Sequence, residues 1–162
     1  MAEVTRLDRH GMVTLRGAWD DLAAPLEAEG LAVPEQRRIS DGAGAAVAWM
    51  SPDEGLVLCD HAAAPGMAAR IGAAEGFVTA LDVSDARAVF DVTGEGADDV
   101  LAKLSPADLA AVEAHEMRRS RLAQVAAAFW RIDGGWRVVC FRSVGTYVED
   151  LLVNAARGPA LG

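Results

Sequence analysis

The sequence has few of the residues around which disulfide-rich and metal-binding domains are built. Among 162 residues there are two cysteines, three histidines and one tyrosine. Cys59 and Cys140 each lie in an apolar stretch, which favours reduced core thiols over a disulfide framework. The histidines, His10, His61 and His115, are far apart and form no HExxH motif or other pair at metal-ligand spacing. We therefore expect no bound metal and a cytoplasmic location.

Basic charge and long apolar runs are also scarce. The chain has 15 Lys and Arg against 24 Asp and Glu, and its formal charge of −9 repels phosphate backbones and anionic lipids. No apolar run approaches the roughly 20 residues of a membrane span, and the first residues lack the pattern of a signal peptide. We expect no nucleic acid and no membrane as partner.

Catalytic motifs are missing as well. The sequence has no GxSxG elbow. Gly94-Glu95-Gly96 resembles the start of a dinucleotide-binding turn, but the third glycine is replaced by Asp99, which with Asp98 would repel a pyrophosphate. We predict no catalytic, cofactor-binding or metal-binding residue in this chain.

What the sequence does contain is a repeated order of elements. Strands are indicated at 12–16, 45–50, 56–59, 77–83, 88–92, 122–131 and 136–142, with helices near 19–26, 65–75, 97–104 and 144–155. Residues 31–44 are predicted to form a loop. Asp133-Gly134-Gly135 is typical of a hairpin turn.

Landmarks in the two halves are separated by nearly constant distances. Gly17 and Gly94 are 77 residues apart, while Trp49 and Trp130, like Cys59 and Cys140, are 81 apart. We therefore predict an α+β fold made of duplicated ferredoxin-like strand-helix-strand-strand-helix units, each an antiparallel sheet covered by helices. The chain would be a single domain, 1–162, with internal halves of about 11–83 and 84–158.

The four tryptophans differ in their surroundings. Trp49 and Trp130 lie inside apolar strands and are predicted to be core residues. Trp136 follows a Gly-Gly turn and Trp19 begins the first helix, so we expect either ring to be partly exposed. A large amphipathic ring at the surface suits protein contact, and Trp19 and Trp136 are therefore the candidate interface residues.

The second half carries a family resemblance. The segment LDVSDARAVFDVTGEGADDVLAKLSPADLA has an acidic Asp-x-Ser-Asp start, a strand closed by Gly and a Pro-x-Asp-Leu step. In these features it resembles the folate-binding aminomethyltransferase superfamily. Arg119 to Gln124, and Arg142-Ser143 followed by Tyr147, are similar to the gamma subunit family of heterotetrameric sarcosine oxidase. In the first half, VTLRG and SPDEGLVL resemble that family's opening strand and hairpin.

Two positions depart from the family pattern. Ser105-Pro106-Ala107-Asp108-Leu109 stands where the family often has Cys-Pro-Leu-Asp-Leu, and Gly55 stands where a Trp often follows Pro-Asp-Glu. We interpret both as packing positions.

The resemblance implies a function carried out within a larger complex. It implies oxidative demethylation of sarcosine to glycine, with alpha, beta and delta subunits as partners of this chain. In such complexes FAD, FMN, NAD and tetrahydrofolate are held by the alpha and beta subunits and zinc by the delta subunit, while gamma holds no cofactor. The chain would then be a non-catalytic subunit that docks through apolar and aromatic surface.

Two alternatives remain open. One is a stand-alone folate-binding or aminomethyltransferase-like one-carbon protein, which would need a positioned carboxylate for the pterin, with Asp82 or Glu54 as candidates. The other is an unrelated α+β adaptor or homodimer.

Overall fold

Short helices and antiparallel strands make up the fold. The computed structural model describes residues 1–159. These residues form ten strands: β1 (Glu3–Leu7), β2 (His10–Arg16), β3 (Ile39–Asp41), β4 (Ala46–Ser51), β5 (Glu54–Asp60), β6 (Thr79–Asp82), β7 (Arg87–Thr93), β8 (Arg118–Leu122), β9 (Val125–Ile132) and β10 (Gly135–Phe141). The four α-helices are α1 (Trp19–Ala28), α2 (Ala64–Gly72), α3 (Ala97–Leu104) and α4 (Gly145–Arg157). The predicted α+β class is confirmed.

The chain divides into two compact units. Unit 2 is the continuous segment Arg9–Asp85, and unit 1 combines residues 1–8 with the residues from Ala86 onward. The boundary predicted near residue 84 lies beside the boundary between the units. Residues 1–8, however, lay outside both predicted halves and belong to unit 1. Duplication within a single domain stays a prediction.

Unit 2 is a five-stranded antiparallel sheet with two helices on one face. Its strand order is β3-β4-β5-β2-β6. Because side chains alternate across a strand, Val13 and Leu15 of β2 point to the same face, where they are fully buried. Leu22 and Leu26 of α1 lie one helical turn apart and join them in the core, together with Ile71 of α2.

Unit 1 is built in the same way from different residues. Its strand order is β1-β7-β10-β9-β8, and α3 and α4 contribute Leu101 and Leu152 to the core. Phe90, Phe129 and Trp136 are the largest of its fully buried side chains. The Phe129 and Trp136 rings meet edge to face, with centroids 5.7 Å apart.

The two sheets have matching strand orders, but their corresponding edge strands come from different places in the sequence. In unit 2 the edge beside β2 is β6, which follows α2 in the chain. In unit 1 the equivalent position beside β7 is occupied by β1, in a register from Glu3 with Thr93 to Leu7 with Val89. The first strand of the chain therefore completes the sheet of the second half.

The sequence prediction missed three strands. β1 was not predicted, β3 lies inside the predicted loop of residues 31–44, and β8 ends where a single strand of residues 122–131 was expected. Ala123 makes the turn between β8 and β9 with a φ of 50°. All three are sheet-edge strands of three to five residues, so they lack the two-sided burial that gives a strand a clear apolar pattern.

The close approach of strands at Gly135 gives a stability prediction. A Cβ at Gly135 would collide with the carbonyl oxygen of Val92 and lie 2.8 Å from the Cα of Thr93. We expect Gly135→Ala to lower the free energy of unfolding by about 1–3 kcal/mol, because backbone atoms cannot move aside as a side-chain tip can. Chemical denaturation measures the change.

Gly66→Ala is the matched control. Gly66 lies in α2, and a Cβ there would meet only the tip of the flexible Arg70 side chain, 3.1 Å away. Replacing a helical glycine by alanine should raise the free energy of unfolding by roughly 0.5–1 kcal/mol. An unchanged stability of Gly135→Ala would contradict the close approach.

Candidate functional site

Asp82, one of the two carboxylates proposed to bind a pterin, accepts hydrogen bonds from a neighbouring residue of its own chain. Its Oδ1 accepts hydrogen bonds from the Ser84 hydroxyl at 2.6 Å and from the Ser84 backbone N–H at 3.0 Å. The same hydroxyl accepts the Met12 N–H at 2.9 Å. Asp82 and Ser84 therefore fasten the end of β6 to β2, which gives the Asp-x-Ser start a structural role.

Glu54, the other candidate, is also paired. Its carboxylate lies 3.3 Å from Arg16 Nη2, and its side chain is only 14% exposed. Across the ladders of β2, Glu54 is opposite Arg16 while Asp82 is opposite Val13. At about 3.3 Å per residue the two positions on β2 are roughly 10 Å apart. The structure does not bring the two candidate carboxylates together.

The hydrogen bonds of Asp82 predict its titration. They lower the pKa of the Asp82 carboxyl below its ordinary value of 3.8, with the Ser84 hydroxyl as the largest cause. The ionised carboxylate therefore stabilises the fold above that ordinary value, and the stabilisation is lost as the pH falls through the folded pKa. Ser84→Ala should move the pKa upward, as followed by the NMR shift of the carboxyl carbon.

Ser40→Ala serves as the control for this titration. Ser40 lies in β3, at the opposite edge of the same sheet, so its removal should leave the pKa of Asp82 unchanged. An Asp82 pKa that is the same in wild type and Ser84→Ala would show that the hydrogen bond does not hold the carboxylate.

Histidine and cysteine side chains do not converge on a common centre in unit 2 or unit 1. His61 Nε2 lies 3.1 Å from Asp85 Oδ1, and His115 is exposed. Within residues 1–159 no group of three His, Cys, Asp or Glu side chains is placed to hold a metal ion. Burial raises the pKa of the Cys59 thiol and raises that of Cys140 to about 11, so both favour the protonated form.

A cleft of about 340 Å³ lies where α3 begins, bordered by the Gly94–Gly96 loop and the Gly134-Gly135 turn. Arg131 lies on its wall, but its guanidinium is occupied. Nε and Nη2 donate to the carbonyls of Val112 and Leu109 at 3.1 and 3.0 Å, and the group stacks 4.1 Å from the centroid of a tryptophan ring. Arg131 thus fastens the segment before β8 to the sheet.

Trp136, predicted to be partly exposed, is fully buried, so that expectation is wrong. Its ring lies between Phe129 and Arg131, and its Nε1 donates to Asp98 Oδ1 at 2.6 Å. The adjacent glycine turn indicated exposure, but α3 closes over the start of β10. Asp98 is therefore the partner of a core tryptophan, a contact that the sequence spacing alone did not reveal.

Trp19 is partly buried against the β4–β5 hairpin. Its Nε1 donates to the Ser51 carbonyl at 3.3 Å, and a Cβ at Gly55 would lie 2.7 Å from Trp19 Cη2. Trp19 thus fills the space above Gly55, which explains how the chain accommodates glycine where the family often has tryptophan. An interface role for Trp19 and Trp136 stays a prediction.

The contact between Trp19 and Gly55 can be tested by a double-mutant cycle. Gly55→Ala should lower the free energy of unfolding by about 1–3 kcal/mol, because the new methyl group displaces the indole. In a Trp19→Leu background the same substitution should cost less, and chemical denaturation of the four proteins gives the coupling energy. Equal costs in both backgrounds would contradict the packing of Trp19 on Gly55.

Several large apolar side chains that were not among the predicted interface residues are exposed. Phe77 is 93% exposed just before β6 and Leu81 is 62% exposed within it, while Phe141 and Tyr147 are 53% and 45% exposed near the β10–α4 junction. Phe77 follows a turn glycine and begins an apolar stretch. This pattern indicated a strand, but it did not indicate which face of the strand would be buried. The described part of the chain has no helix long and apolar enough to cross a membrane.

Comparison with solved structures defines the class of fold. A chain of heterotetrameric sarcosine oxidase from Corynebacterium sp. U-96, in complex with pyrrole 2-carboxylate, matches with a TM-score of 0.84 and 24% identity over 99% of this chain and 88% of that one. Glycine cleavage system aminomethyltransferase T from Bartonella henselae matches with a TM-score of 0.72 and 15% identity over 96% of this chain and 46% of that one. The fold is of the aminomethyltransferase type, as predicted.

Sequence comparison identifies the family within that class. No protein-family model matches the chain. Sarcosine oxidase subunit gamma from Corynebacterium sp. (strain P-1) is 32% identical over 140 residues, which cover 82% of this chain and 68% of the relative. The chain belongs to the sarcosine oxidase gamma subunit family, which confirms the resemblance found in its motifs.

Proposed function

We propose that this chain is the non-catalytic gamma subunit of a heterotetrameric sarcosine oxidase. The observation that carries the proposal is its 32% identity to a sarcosine oxidase gamma subunit across 82% of its length. In this role the chain supports the oxidative demethylation of sarcosine to glycine by larger partner subunits. It would act in the cytoplasm, with alpha, beta and delta subunits as partners.

The contacts of the polar side chains support a structural role. Asp82, Glu54, Asp98 and Arg131, which in other settings could bind a substrate or cofactor, each have a partner within their own unit. Such groups are committed to holding the strands and loops in place. FAD, FMN, NAD, tetrahydrofolate and zinc would accordingly be held by the other subunits of the complex.

The exposed apolar side chains support a role in assembly. Phe77 and Leu81 in unit 2 present aromatic and aliphatic surface to solvent. Aromatic side chains are enriched in the buried centres of protein interfaces. In a subunit that is covered by larger partners, such side chains would be buried at the interface.

Co-expression with and without this chain tests the proposal. With all four subunits present, we expect the chain to co-purify with flavin-containing partners in a fixed ratio. Without it, we expect the remaining subunits to denature at a lower temperature, since a partner that binds only the folded state stabilises that state. Differential scanning calorimetry and sarcosine turnover after heating provide the readouts.

Two results would contradict the proposed role. One is a complex whose stability and turnover are the same with and without this chain. The other is tight binding of tetrahydrofolate by the isolated chain in a calorimetric titration, which would support the stand-alone folate-binding alternative instead.

A further inference from the structure

We propose that β6 is a docking edge to which a partner subunit adds a β-strand that carries apolar and basic side chains. The inference rests on the proposed function, since it names the surface through which the gamma subunit meets a larger chain. The docking edge is defined here as residues 77–82.

The docking edge is more apolar than a free surface strand should be. Leu81, 62% exposed, lies in β6 at the edge of the unit 2 sheet, and Phe77, 93% exposed, lies two residues before β6 begins. Thr79, between them, is exposed as well, whereas Val78 and Ala80 pack against the helix-covered core. The segment thus has one side fastened to its own unit and one apolar side facing outward.

Part of the backbone of the docking edge is not used in the ladder with β2. β6 pairs antiparallel with β2, and the Val83 N–H donates to the Met12 carbonyl at 2.9 Å. In such a ladder every second residue exchanges hydrogen bonds with the same neighbour, so residues 79, 81 and 83 face β2. The N–H and C=O groups of Ala80 and Asp82 therefore point away from β2, and within residues 1–159 no other strand pairs with β6.

The other sheet edges carry features that discourage pairing. β1 carries the charged residues Glu3 and Arg6, β8 presents Arg119 and Arg121 on its exposed side, and β3 is only three residues long. Charged side chains and short edge strands are common protections against unwanted pairing. Residues 77–81 contain no charge and no proline. Among these edges, the docking edge is the one left open to a strand, as in recognition by strand addition.

The negative charge of unit 2 favours a basic partner strand at the docking edge. Unit 2 has 12 acidic and 5 basic side chains, a formal charge of −7. Glu75 lies just before the docking edge, and Asp82 is its last residue. Arg16, opposite Thr79, is engaged by Asp53 and Glu54. A second copy of the chain would bring the same negative charge to the contact, whereas a partner strand with Lys or Arg beside its apolar residues would be attracted.

A double substitution tests the docking edge in the co-expressed complex. We expect Phe77→Ala with Leu81→Ala to weaken capture of the partner subunits at least about tenfold, because exposed apolar anchors at an interface centre dominate affinity. Phe141→Ala with Tyr147→Ala, in unit 1, is the matched control for removing exposed apolar surface and should retain capture. Circular dichroism checks that both variants fold.

Amide hydrogen exchange distinguishes strand addition from docking on a face. In the wild-type complex, the Ala80 and Asp82 amides should become protected relative to the isolated chain, since a partner strand would accept their hydrogen bonds. This measurement needs no substitution, so it tests the inference even where a variant fails to fold.

Four results would overturn the inference. They are full capture by the docking-edge variant, equal weakening by the control variant, unprotected Ala80 and Asp82 amides in the complex, and an isolated chain that dimerises through these residues. If the wild-type chain itself fails to associate with the partner subunits, the proposed function fails first. If wild type and docking-edge variant associate equally well, only the docking edge is wrong.

Discussion

Burial of one face of each sheet beneath two helices is the constraint on which the rest of the structure depends. Each unit fastens its helices to the sheet through fully buried side chains, such as Leu22 in unit 2 and Leu101 in unit 1. Polar side chains then stabilise the loops and strand ends around these cores. Asp98 receives the hydrogen bond of a buried indole, and Arg131 holds two backbone carbonyls beside it. Polar side chains that could serve in catalysis elsewhere therefore form structural hydrogen bonds in this protein.

The sequence predicted the central parts of this architecture better than its edges. The alternation in β7 and the Gly-Gly turn between β9 and β10 are local signals, and both elements form where they were expected. The apolar spacing of α4 is equally local. β1 and β8 carry Arg and Glu at exposed positions, because a sheet edge faces solvent, and their composition does not distinguish them from loops.

The candidate site was less accessible to sequence reasoning. Asp82 and Glu54 were identifiable as carboxylates, and Ser84, the partner of Asp82, lies only two residues away along the chain. Arg16, the partner of Glu54, however, follows from the register of β2 with β5, which is set by the whole sheet. Trp136 shows the same limit, since a residue next to a turn is exposed or buried according to which helix packs over it. Phe77 was predicted to begin a strand, but the strand starts at Thr79 and leaves Phe77 in the turn before it. The family resemblance therefore predicted function more directly than any individual residue did.

The pairing of β1 with β7 has a consequence for how the protein is made. Unit 2 is continuous, so its sheet can close as soon as residues 9–85 have left the ribosome. β1 precedes unit 2 and must wait for β7, about 80 residues later, and at a synthesis rate of about 5–20 residues per second the delay is roughly 4–16 s. During that interval a nascent chain has its first strand unpaired while unit 2 can already fold. Unit 1 therefore recruits a strand that is translated before unit 2.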